Sequence, residues 1–141
     1  MKLIGKRIFI VEDNTMNRIT YQMILRLSGA VLEFDRWGRD TLYRLKGFEP
    51  DLIIMDLMIT KGRSGFDIFD DIRKHPEYDA VPIVAISASE PAVSLPLCRD
   101  KGFDGFIVKP VDDELLPDQL ARLIEGEQIW YIGERYGGEI R

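Results

Sequence analysis

A chain of 141 residues, 45% apolar and 30% charged, has the size and composition of one globular domain with a buried core. Its net charge of -5 argues against a nucleic-acid surface, which needs a basic face. The single cysteine, Cys98, excludes an intrachain disulfide framework; the longest apolar runs fall far short of the roughly 20 residues that span a bilayer, and the first seven residues lack the apolar core of a signal peptide. A cytoplasmic protein with no nucleic-acid or membrane partner is expected.

Short apolar runs alternate with segments of helical period along the chain. Residues 8–11 read as a first strand, and Asn14 caps the helix that follows, with Met16, Ile19, Thr20, Met23, Ile24 and Leu27 expected as its inner face. Residues 31–35 read as a second strand; Glu33 among its apolar residues places it at a sheet edge. A short helix over 38–46, with Arg36 and Trp37 at its start as surface packing, stops at Gly47 and Pro50, and a third strand covers 51–56. Helix three spans about 65–74, with Phe66, Phe69 and Ile72 inward, and strand four spans 82–87. A fourth helix lies within 92–101, a fifth strand over about 105–108 and a fifth helix over about 113–124. Strands one, three, four and five are almost wholly apolar, as parallel strands buried on both faces are. Five such β-α repeats indicate a doubly wound α/β sandwich of three layers.

Polar residues punctuate the strand ends. Glu12 and Asp13 close the first strand, Asp56 the third, Ser87 the fourth and Lys109 the fifth. A parallel sheet with helical crossovers brings these ends to one edge, where open α/β sheets bind ligands. Carboxylates beside one ammonium and one hydroxyl suit a divalent cation and a phosphoryl group. Asp56 is the candidate nucleophile, since a carboxylate can form an aspartyl phosphate. Asp13, Glu12, Asp56 and the backbone carbonyl of Met58 are candidate Mg²⁺ ligands, because Mg²⁺ prefers oxygen donors and takes few of them from protein. Lys109 would pair with one phosphoryl oxygen and Ser87 would hydrogen-bond another.

The segments IFIVEDN (8–14), LIIMDL (52–57), VPIVAISA (81–88) and GFDGFIVKP (102–110) resemble the receiver domain of two-component response regulators over about residues 6–124. The resemblance implies a flavodoxin-like sandwich with a five-stranded parallel sheet in the order 2-1-3-4-5. It implies Asp56 as acceptor of a phosphoryl group from a histidine kinase or phosphotransfer protein, in a Mg²⁺-dependent reaction. It further implies Ser87 and Phe106 as the switch pair and a cis Lys109-Pro110 bond. The readout is altered binding of a downstream protein through the face of helix four, strand five and helix five. On this reading residues 1–125 are the receiver and 126–141 an apolar and aromatic extension; no output domain is expected after residue 124, giving a stand-alone, chemotaxis-type signalling domain rather than an enzyme. Ile129, Trp130, Tyr131 and Ile132 in the extension suit packing back onto the domain, or contact with a second copy or a partner, with a disordered tail as the remaining alternative.

Departures from the family pattern are local. Thr60 stands where a proline is usual and Gly65 comes one residue late, so a bulged loop follows Asp56. Pro91 and Pro96 lead to the expectation of a short fourth helix starting near Pro96, and Pro117 to an irregular first turn of the fifth. Cys98 reads as a small buried residue, and His75, in a polar loop before Pro76, as neither metal ligand nor phosphorelay residue. Two rival chemistries lack their residues. A dehalogenase-like phosphohydrolase needs an acid two positions after the nucleophile, where Met58 stands; a flavin carrier needs a phosphate-cradling loop where residues 12–17 carry two acids. A degenerate receiver that binds its partner constitutively is the nearer alternative.

Overall fold

The computed structural model describes residues 2–59 and 63–140. Its strands are β1 (Arg7–Val11), β2 (Val31–Asp35), β3 (Leu52–Met55), β4 (Ile83–Ser87), β5 (Gly105–Val108), β6 (Ile129–Tyr131) and β7 (Glu139–Ile140). They form one sheet in the order β2-β1-β3-β4-β5-β6-β7. All pairs are parallel except β6 with β7, which is antiparallel. The order 2-1-3-4-5 therefore holds, with β2 at the edge, and two further strands prolong the sheet beyond β5.

The helices are α1 (Thr15–Leu27), α2 (Thr41–Phe48), α3 (Gly65–Arg73), α4 (Pro91–Lys101) and α5 (Leu116–Ile124). Strand side chains alternate between two cores, as the period of two requires. Phe9, Ile53, Met55, Ala85 and Phe106 face α2, α3 and α4. Ile8, Ile10, Ile54, Ile86 and Ile107 face α1 and α5. Both faces are thus covered, which is why these strands read as continuous apolar runs. No helix among the described residues is long and apolar enough to cross a membrane.

Several expectations need correction. The inner face of α1 is not the row from Met16 to Leu27. Met16, Ile19, Met23 and Leu27 are exposed, Ile24 is half-buried, and Arg18, Tyr21 and Leu25 are buried. Both rows have helical spacing. The buried one carries the Tyr21 ring, and the Arg18 guanidinium donates to the carbonyls of Glu12 and Asp13 (3.4 and 3.1 Å), turning that side toward the sheet. Arg36 and Trp37 precede α2 instead of starting it. The Thr41 hydroxyl donates to the Asp35 carboxylate, and Gly38, at φ +71° and pressed against Ile68, holds a loop open until residue 41.

The fourth helix is neither short nor begun at Pro96. Pro91 sits in its first turn, where a missing N–H is harmless, and the helix runs through Pro96. The carbonyl that the missing N–H of Pro96 would have served is that of Ala92, an exposed residue open to water. Pro117 is likewise in the first turn of α5, after a separate turn at 113–115. The expected bulge at Thr60 lies outside the described residues; at its far end Ser64 caps α3 through the Asp67 amide (3.2 Å). Cys98 is fully buried, and burial pushes its thiol up to about 12.

The extension packs back onto the sheet. Ile129 and Tyr131 point to the α5 side and Trp130 to the α4 side, opposite Phe106 in register. Arg122 of α5 binds both carboxylate oxygens of Glu139 at 2.9 Å, and the Arg99 guanidinium of α4 lies 4.8 Å from the Trp130 ring. Both helices beside β5 therefore hold the added hairpin.

Candidate phosphoryl site

The pairing register brings the polar strand ends together. Val11 lies opposite Met55, Met55 opposite Ala85, and Ser87 opposite Val108. The residues that follow, Glu12, Asp56 and Lys109, emerge at one edge with Ser87. Glu12, Asp13 and Asp56 each offer a carboxylate oxygen, and the three oxygens lie within 4.8 Å of one another. Glu12 and Asp56 are buried and Asp13 half-buried. Lys109 Nζ lies 2.6 Å from Glu12 Oε1 and 3.5 Å from Asp56 Oδ2.

Backbone donors fix the carboxylates. The Met58 amide donates to Asp56 Oδ1 (3.2 Å) and the Asn14 amide to Glu12 Oε2 (3.2 Å). Asn14 also caps α1, its side chain accepting from the Asn17 amide at 3.0 Å. Asp56 is pushed up to about 6, chiefly because burial penalises its charge; Lys109 opposes this and Glu12 adds to it. The Ser87 hydroxyl is buried and accepts the Ser89 amide (3.2 Å). Phe106 is fully buried, and the Lys109-Pro110 bond is cis. Met58 has an exposed side chain. Of the expected site residues, the three acids and Lys109 thus share one cluster, Ser87 ends the neighbouring strand, and Phe106 lies within the core behind it.

Two residues bear on the site that the sequence did not single out for it. Arg18 clamps the carbonyls of Glu12 and Asp13 from α1; an arginine on a helix next to apolar residues gives no signal of this. Gly65 packs against the backbone that carries Asp56: a Cβ there would lie 2.3 Å from the Asp56 carbonyl oxygen. His75 is outside the acidic cluster, its Nδ1 3.8 Å from Glu77.

Hard oxygen donors, converging and partly buried, suit Mg²⁺. A magnesium site is also known on this fold. The receiver domain of a sensor histidine kinase from Pseudomonas aeruginosa PAO1, solved with a magnesium ion coordinated in its active-site cleft, superposes with a TM-score of 0.77 at 25% identity, covering 86% of this chain and 99% of that one. The chemotaxis response regulator CheY4 of Vibrio cholerae gives 0.76 at 24% identity, covering 84% and 98%. In sequence, the Regulator of RpoS of Escherichia coli K12 is 32% identical over 111 residues, 79% of this chain; the match spans only 32% of that longer protein. The polar-differentiation response regulator DivK of Brucella ovis is 27% identical over 106 residues, covering 75% of this chain and 85% of its own length. The profile of the response regulator receiver domain matches residues 8–121, and the chain belongs to that family.

Proposed function

We propose that this chain is a phosphorylation-controlled switch with Asp56 as its phosphoacceptor. The observation that carries this reading is the convergence of three carboxylates with Lys109 between two of them. An Asp56 oxygen attacks the phosphorus of a phosphohistidine on a histidine kinase or phosphotransfer protein; the P–N bond breaks, its electron pair leaves with the imidazole, and an aspartyl phosphate results. Glu12, Asp13, Asp56 and the Met58 carbonyl would hold Mg²⁺, whose charge offsets the repulsion between carboxylate and phosphoryl group.

The chain's own groups do the rest. The Met58 amide holds Oδ1 while Oδ2 faces Lys109, which sets the side on which the phosphoryl group is bound. Lys109 exchanges part of its contact with Glu12 for a phosphoryl oxygen. The Ser87 hydroxyl turns from the Ser89 amide to donate to another. Movement of Ser87 and Phe106 then biases a two-state equilibrium in α4, β5 and α5 and in the β6–β7 hairpin packed on them, and affinity for a protein partner changes.

An exposed helix face supports a landing place for the phosphodonor. Met16, Ile19, Met23 and Leu27 form an exposed apolar row on α1, which begins two residues after Asp13. Such a row suits the helix of a donor that must bring its histidine to Asp56. The test is labelling by radioactive acetyl phosphate. Label should appear only with Mg²⁺ and be absent from Asp56→Asn; undiminished label on that variant would remove Asp56 as nucleophile.

A further inference from the structure

An open cleft of about 850 Å³ lies between α4, the β5–α5 connection and the β6–β7 hairpin. Pro91, Leu95, Val108, Ile132, Tyr136 and Ile140 give it an apolar lining. Tyr136 is 68% exposed and Ile140 37%, so a large ring and a branched side chain stand in water at its lip. The wall from Ile132 onward lies beyond the residues matched to the receiver family.

Three features of the cleft define its occupant. Its rim carries Glu90, Asp112 and Glu134 against one cation, Arg135, whose guanidinium lies 5.8 Å from the Tyr136 ring. Lys109 also borders the cleft, but its ammonium is engaged by Glu12 and Asp56. The rim is therefore net negative around an apolar floor. Next, β5 is paired on both sides, by β4 and β6, so no partner strand can add to it. Last, a second copy would bring one acidic rim against another in a chain of net charge -5, which is unfavourable.

We propose that this cleft docks a short apolar segment of a partner protein flanked by lysine or arginine, and that the phosphoryl site sets its affinity. The second half rests on the phosphoacceptor reading. Its physical basis is proximity in the chain: the wall at Glu90 starts three residues after Ser87, and Lys109 and Pro110 are themselves part of the lining. A shift of Ser87 or Lys109 toward a phosphoryl group pulls on both walls.

The experiment is a titration of the isotope-labelled full chain with an end-blocked peptide of sequence KLFLK and its charge-reversed counterpart ELFLE, followed by amide spectra. Shifts should fall at residues 90–96, 108–112 and 131–140, with KLFLK binding at least about tenfold more tightly, about 1.4 kcal/mol. Ile140→Asp should weaken KLFLK at least about fivefold without changing the melting temperature, and Asp112→Lys with Glu134→Lys should reverse the peptide preference. Equal binding of both peptides, no binding, or shifts along α1 would overturn the docking site. So would concentration-dependent dimerisation through residues 131–140, which would give the cleft to a second copy. Beryllofluoride with Mg²⁺ should change KLFLK affinity at least about threefold. If residues 87–109 respond and peptide affinity stays fixed, the linkage is wrong and the phosphoacceptor reading stands. If nothing responds and KLFLK still binds, the phosphoacceptor reading fails and the docking site stands.

Discussion

Asp56 is ionised at a place that disfavours its charge. Burial raises it from 3.8 to about 6, so the folded state gives up its proton later than the unfolded state does. Below 3.8 both states are protonated and nothing is lost. As the pH climbs through about 6, the unfolded chain binds fewer protons than the folded one and stability falls. Asp56→Asn should therefore be about 1 to 2 kcal/mol more stable than the parent near neutral pH without Mg²⁺, and the gain should vanish at about pH 4. Urea midpoints at the two pH values check this; a gain that persists in acid would assign it to packing instead. Gly65 makes the complementary case. The missing side chain lets α3 approach the Asp56 carbonyl, so Gly65→Ala should cost about 1–3 kcal/mol and weaken Mg²⁺ binding, measured by denaturation and metal titration. The acids, Ser87 and Lys109 were readable in the sequence because each ends an apolar run. Arg18 was not, because its role lies in two carbonyls five and six residues away, and backbone acceptors leave no trace in a sequence.

At the scale of elements, strands and helices differ in what their sequences disclose. Buried parallel strands show as unbroken apolar runs, and β1 to β5 fall within a residue of their expected bounds. A helix with two apolar rows does not say which one faces inward. In α1 the buried row is Arg18, Tyr21 and Leu25, and the richer row is left outside. On the proposed reading, apolar residues kept in water beside Asp56 serve as a docking surface. Ile19→Glu with Met23→Glu should leave stability within about 0.5 kcal/mol, because neither side chain is buried. The same double variant should slow phosphotransfer from a histidine donor at least about tenfold while leaving labelling by acetyl phosphate unchanged. Equal slowing of both reactions would place the effect in the site itself. In α4, an exposed proline is tolerated inside the helix because the carbonyl its missing N–H would have served belongs to an exposed residue, which the sequence penalty for proline does not anticipate.

Across the whole molecule, the hairpin after α5 makes the sheet seven strands wide. Its strands are only three and two residues long, too short to announce themselves, and β6 finds its partner more than twenty residues back in the chain. Trp130 lies in the same core as Phe106 and Cys98, so the extension and the family fold should unfold together. Trp130→Ala should cost about 3–5 kcal/mol, and the amides of β6 should exchange with solvent as slowly as those of β5. Fast exchange in β6 alone would make the hairpin a detachable strap. The sheet's lateral margins carry a further meaning. Unpaired strand margins invite fibril growth by adding identical chains. One margin here is the two-residue β7, whose Glu139 is gripped by Arg122, and the other is β2, where Glu33 pairs with Arg44. Neither offers a long, flat, greasy template for such growth, because one margin is two residues long and both carry an ion-paired glutamate.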